Sequence, residues 1–182
     1  LVEHAVHFFD LFESWYGTGH PLAAATGTRP DGREDRVHAV VRHGDALVTQ
    51  THAFTQPKAA DRQRWRLVHA FGEIAMEEWI PVRLRLSGWF DDEARAALDA
   101  LLPRVAEGDA RDAANYDAAR PGVRYARWER HLADKETIYR AAVRDLVADL
   151  TRAIREPLHR PRIDAGNARR SLLLALDCRD LA

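Results

Sequence analysis

The sequence predicts an α+β fold, an open and mainly antiparallel β-sheet with helices packed on one face. Three observations carry this. Five or six strand candidates follow one another without intervening helices. Turn signals such as Pro30-Asp31-Gly32 and His43-Gly44-Asp45 join neighbours as hairpins. Helical periodicity is left to the first residues and to the second half of the chain.

The elements follow in order. Residues 2–16 read as an amphipathic helix stopped by Gly17 and Gly19. Strands are expected at 22–28, 36–43, 46–55, 64–71, 73–79 and 81–89, with Gly72 as a further turn. Alternation is plain in Val37, Ala39 and Val41, and again in Val82, Leu84 and Leu86. A helix over 91–102 ends at Pro103, and 104–122 looks irregular. Residues 123–132 read as a short strand or an extended approach. Asp134 caps a long helix reaching about Arg155, and Asp164 or Asn167 caps a last one reaching about Leu181.

Bulk composition narrows the function. A chain of 182 residues with 46% hydrophobic and 30% charged residues suits a single globular domain over 1–182. Lys plus Arg is 27 against 28 Asp plus Glu, so the basic excess that nucleic acid attracts is missing. No apolar run approaches the roughly 20 residues of a membrane span. One cysteine, Cys178, rules out an intramolecular disulfide, and reducing cytoplasm is the expected compartment. The chain opens at Leu1 already inside a helical pattern, which suggests a missing N-terminal part. Gly17-Thr18-Gly19 follows a helix rather than a strand, the wrong context for nucleotide binding.

On a helix of about 100° per residue, Glu3, His7, Asp10 and Ser14 fall on one line. The other sides carry Phe8, Phe9, Leu11, Phe12 and Trp15, so much of the helix should be buried. One use of such a line is acid/base chemistry. His7 would be the general acid/base, Glu3 one turn earlier would hold its tautomer, and Asp10 would brace the ring. The other is a satisfied interior network that orients the helix, and the residues alone leave both open. A metal is disfavoured: Glu3 and His7 make two ligands and His4 points about 100° away from Glu3.

The run Glu3-His4-Ala5-Val6-His7-Phe8-Phe9-Asp10-Leu11-Phe12, closed by Gly17, resembles the glucose–fructose oxidoreductase/inositol dehydrogenase family. Glu3, His7, Asp10 and Gly17 match that family's positions, with Glu3 standing where it usually has Asp. The layout of strands and glycine turns that follows, and the last helix around Asn167, Ser171 and Leu174, are similar to its second domain. The resemblance implies that 1–182 is the C-terminal, substrate-binding and catalytic domain of an NAD- or NADP-dependent oxidoreductase acting on a sugar, polyol or related hydroxy compound. It implies an upstream Rossmann domain, absent from this chain, that holds the cofactor and supplies a lysine. This chain alone would then bind no cofactor and be inactive. Glu3 and His7 would be catalytic. The alternative is a non-catalytic oligomerisation or ligand-sensing domain of the same fold.

Further residues are weighed on their own chemistry. Tyr125 and Trp128, on the segment before the long helix, are candidates for the substrate pocket beside Asp10. Trp79, Trp89 and Trp128 fit a sugar-stacking platform, though packing is the commoner use of tryptophan. Arg62, Arg64 and Arg66 face enough acidic residues for cross-strand pairing. His38, His52 and His69 read as surface or core residues, and Cys178 as buried and inert. An uncovered sheet face would make a homo-oligomer the expected assembly.

Overall fold

The computed structural model describes residues 5–55, 57, 63–78, 80–108, 122–132 and 134–182. They form α1 (Ala5–Tyr16), β1 (Gly19–Thr28), β2 (Glu34–His43), β3 (Ala46–Ala53), β4 (Arg64–His69), β5 (Gly72–Glu77), β6 (Arg83–Phe90), α2 (Asp92–Asp99), β7 (Arg104–Glu107), β8 (Arg124–His131), α3 (Lys135–Arg155) and α4 (Ala165–Asp180). Every strand pair is antiparallel, so the fold is α+β as expected. The strands divide between two sheets, ordered β1-β2-β3 and β4-β5-β6-β8-β7. The chain correspondingly gathers into two compact units, Leu1–Asp61 with Asp149–Ala182, and Arg62–Ala148. The division falls inside α3. Among the described residues no helix is long and apolar enough to cross a membrane.

In the first unit the pattern of β2 dictates the core. Asp35, Val37, Ala39, Val41 and His43 point inward at period two. Val41 and Ala39 meet Ala5 and Phe9 of α1 and Leu174, Ala175 and Cys178 of α4. Burying a side chain the size of Phe9 contributes about 1.5–3 kcal/mol. Pro21 lacks the N–H a ladder needs, and the β1–β2 register slips between Pro21 and Ala23. Both residues proposed as the cap of α4 take part in it. The Asp164 carboxylate accepts from the Asn167 backbone N–H, and the Asn167 side chain accepts from the Asp164 N–H.

The C-terminal end of α1 is pinned to the sheet. Gly17, at φ +88°, closes the helix by donating its N–H to the Glu13 carbonyl at 2.9 Å. The Gly17 carbonyl then accepts from Nδ1 of His43 at 2.9 Å, and His43 is fully buried. A side chain at Gly19 would put its Cβ 2.7 Å from the His43 ring and 2.5 Å from Leu174. At Gly44 it would stand 2.8 Å from the Tyr16 carbonyl. Only glycine lets strand, hairpin and helix end approach this closely.

In the second unit α2 packs on β6 and β8. Leu102, Ala126 and Trp128 are buried, with Leu84, Leu86, Phe90 and Leu98 against them. Asp91 caps α2 by accepting from the Ala94 N–H at 2.8 Å. The buried Arg95 reaches from α2 to Glu107 of β7. Residues of opposite parity line the other face of this sheet with ion pairs: Arg66 with Glu73 at 2.6 Å, Arg85 with Glu77 at 3.3 Å, Arg83 with Glu129 at 2.6 Å. The arginine pairing expected near β4 is thus realised across strands at Arg66.

Two local expectations give way. Residues 104–107 are a strand, not irregular chain. This charged edge strand is held by the ion pairs of Arg104 with Asp99 and Glu107 rather than by an apolar face, so it shows no alternation. Gly72 is the first residue of β5, not the turn itself. It pairs with Gly88 of β6, where a Cβ on Gly88 would meet the Phe71 carbonyl at 2.4 Å and the Gly72 Cα at 2.6 Å. The Phe90 ring covers the gap. Gly88→Ala is therefore expected to cost about 1–3 kcal/mol through overpacking, read as a lower urea midpoint with unchanged slope.

Candidate functional site on α1

Local sequence sorts the faces of α1. Ala5, Phe9 and Phe12 are buried, and the residues roughly opposite them are not. His7 and Ser14 are exposed, while Asp10 and Glu13 are half-buried toward α4. The polar line is therefore an outward ridge with one edge tucked in, not the interior ladder the apolar content of the helix suggested. Ser14 is accounted for locally, its hydroxyl donating to the Leu11 carbonyl at 2.7 Å. Glu3 lies outside the described residues.

Four charged or titratable neighbours surround Asp10. Burial pushes its carboxyl above the usual carboxylate range, and the negative charge of Glu13 adds to that. Arg170 of α4, His7 and, with opposite sign, Asp164 act at longer range. Arg170 is tied to Glu13 by an ion pair from its Nε, and Glu13 is only 11% exposed. The ridge thus joins an accessible imidazole at His7 to a carboxyl at Asp10 that resists ionisation. A carboxyl and imidazole so placed can exchange or relay a proton with a group bound outside the helix.

The remaining candidates lie in the second unit. Tyr125 is half-buried on β8, its ring 5.5 Å from Trp89 on the neighbouring strand at 62°. Trp128 is 0% exposed and belongs to the core. It packs edge-on against Phe90 at 5.4 Å, and its indole N–H donates to Asp99 at 2.9 Å. The Arg104 guanidinium, helped by that indole, holds the Asp99 carboxyl at about 2. With no exposed surface, Trp128 cannot touch a substrate, and its parity puts it on the opposite face of β8 from Tyr125. Trp79 lies outside the described residues.

His43 is the residue that sequence reading misses. Taken as part of a turn, it is instead the last inward position of β2, and continuing the Val37, Ala39, Val41 alternation by one step finds it. Its Nε2 is buried without a hydrogen-bond partner among the described residues. His52 is half-buried, donating from Nε2 to the Gln50 side chain at 3.3 Å with its ring 5.4 Å from Phe8.

Cofactor and metal were tested against the same residues. Among the described residues no three His, Cys, Asp or Glu side chains gather as a metal site. The N-termini of α2, α3 and α4 are each closed by an aspartate, Asp91, Asp134 and Asp164. A dinucleotide pyrophosphate needs open N–H groups at such an end, and carboxylates there repel it. The described residues do not fit a dinucleotide.

No family model, no curated protein and no solved structure matches this chain.

Asp10 allows a test by pH. A carboxyl pushed up by folding binds its proton more tightly folded than unfolded. Its ionisation therefore works against stability as pH rises past the ordinary carboxylate range. Asp10→Asn should raise the thermal midpoint at neutral pH, with the gain vanishing in acid below that range. Thermal unfolding from about pH 3 to 8 measures this. A variant less stable than its parent at neutral pH would show that ionised Asp10 is held by Arg170 more strongly than burial opposes it.

Proposed function

We propose that this chain is the substrate-facing part of an NAD- or NADP-dependent oxidoreductase acting on a sugar, polyol or related hydroxy compound, with His7 as its general acid/base. The observation that carries the reading is an accessible histidine on a helix pinned at its far end, next to a carboxyl that burial keeps from ionising readily. In this reading His7 accepts the proton of a substrate hydroxyl. Asp10 limits the negative charge around the imidazole, and Glu3, one turn back, orients the ring. The nicotinamide, which takes the hydride when bound, is assigned to a separate Rossmann domain because the described residues do not fit it. The reaction suits the cytoplasm, where its cofactor is abundant.

The exposure of His7 makes the test clean. His7→Ala removes no buried contact, so its stability should stay within about 0.5 kcal/mol of the parent. In the full-length protein, turnover with a panel of polyols and either nicotinamide cofactor should fall about 100-fold or more. The same turnover in His7→Ala would sink the assignment.

A further inference from the structure

The most anomalous surface of the molecule lies on α3. None of its 21 residues is buried. Its apolar side chains nevertheless follow a helical rule, with Tyr139, Val143, Leu146, Leu150 and Ile154 spaced by four, three, four and four. At about 100° per residue they form one stripe, and Arg144, Ala148, Arg152 and Arg155 lie on the other side. All five are at least 40% exposed, Leu146 at 40% and Ile154 at 85%. Apolar stripes of this length on a folded surface mark contact sites. The open face of the β4–β8 sheet is by contrast occupied by its own ion pairs. The apolar surface that seeks a partner is on the helix.

We propose that α3 pairs with α3 of a second copy of this chain, antiparallel about a twofold axis. Alternating spacings of four and three are the seam of a two-helix contact, so the occupant is a helix of matching pattern. An isologous contact requires a patch complementary to its own reversed copy. With the axis between residues 144 and 145, Val143 meets Leu146 of the second copy and Tyr139 meets its Leu150. That register also brings Lys135 beside the second copy's Glu156 at both ends. Lys135 has no ion-pair partner among the described residues, and Glu156 otherwise pairs with the exposed Arg152 at 2.8 Å. A helix of this length spans about 31 Å. With flanking side chains the pair removes on the order of 1,200 Å² from water, the lower end of stable interfaces. The inference stands apart from the role given to His7.

Sedimentation of the chain up to roughly 100 μM should show a monomer–dimer equilibrium. Leu146→Glu should weaken it about 100-fold or more while helix content by circular dichroism is kept. Arg144→Glu, on the other side of α3, should leave it unchanged. Under oxidation the double variant Tyr139→Cys, Leu150→Cys should yield a covalent dimer, whereas Val143→Cys alone should not. Four results would overturn the proposal: a monomer throughout, a dimer indifferent to Leu146→Glu, a dimer lost in Arg144→Glu, or efficient cross-linking of Val143→Cys alone, which belongs to a parallel pair.

Discussion

The hydrogen bond from His43 to the Gly17 carbonyl is the constraint on which the first unit depends. It joins the end of α1 to the last inward residue of β2, at a point where three glycines bring backbone elements within side-chain distance. The bond would be weak on the surface. Inside, with His43 fully buried, losing it strands a carbonyl and an imidazole nitrogen out of water, and that cost exceeds the gain from making it. The other face of α1 can then be polar and open without the helix losing its seat. His7 inherits its position from this arrangement, since Ala5, Phe9 and Phe12 hold one side and Gly17 fixes the end.

Much of the fold was legible because its signals are local. Alternation along β2, the turns at Gly32 and Gly44, and the aspartate caps at Asp134 and Asp164 each depend on a few neighbouring residues. The strand at Arg104–Glu107 was not, since distant ion pairs hold it and leave no periodic trace. The parting of the strands into two sheets escaped for a similar reason. Sheet membership is set by which strands pair, and antiparallel strands of either sheet look alike in sequence.

The candidate site divides along the same line. Helical spacing alone places His7 and Asp10 on one ridge, and the structure keeps them there. Burial is another matter. The aromatic content of α1 pointed to an enclosed polar ladder, yet Phe8 and Trp15 occupy a flank and leave His7 and Ser14 outside. Trp128 and Tyr125, three residues apart, looked like neighbours in a pocket. A strand sends residues of opposite parity to opposite faces, so one became core and the other did not. Residue type proposes chemistry, and the period of the element decides whether the residues can act together.

Charge around the ridge is balanced rather than absent. Asp10, Glu13 and Asp164 are acidic, and only Arg170 lies among them as a permanent cation. Arg170 donates its Nε to Glu13, the more buried of its neighbours, which keeps the guanidinium from neutralising Asp10 fully. Burial and Glu13 therefore prevail at Asp10, as the upward direction of its shift shows. Moving the arginine onto Asp10 would fix a second negative charge beside His7. As built, the ridge lets Asp10 carry its proton further into the neutral range, so the imidazole faces a partner able to donate as well as accept.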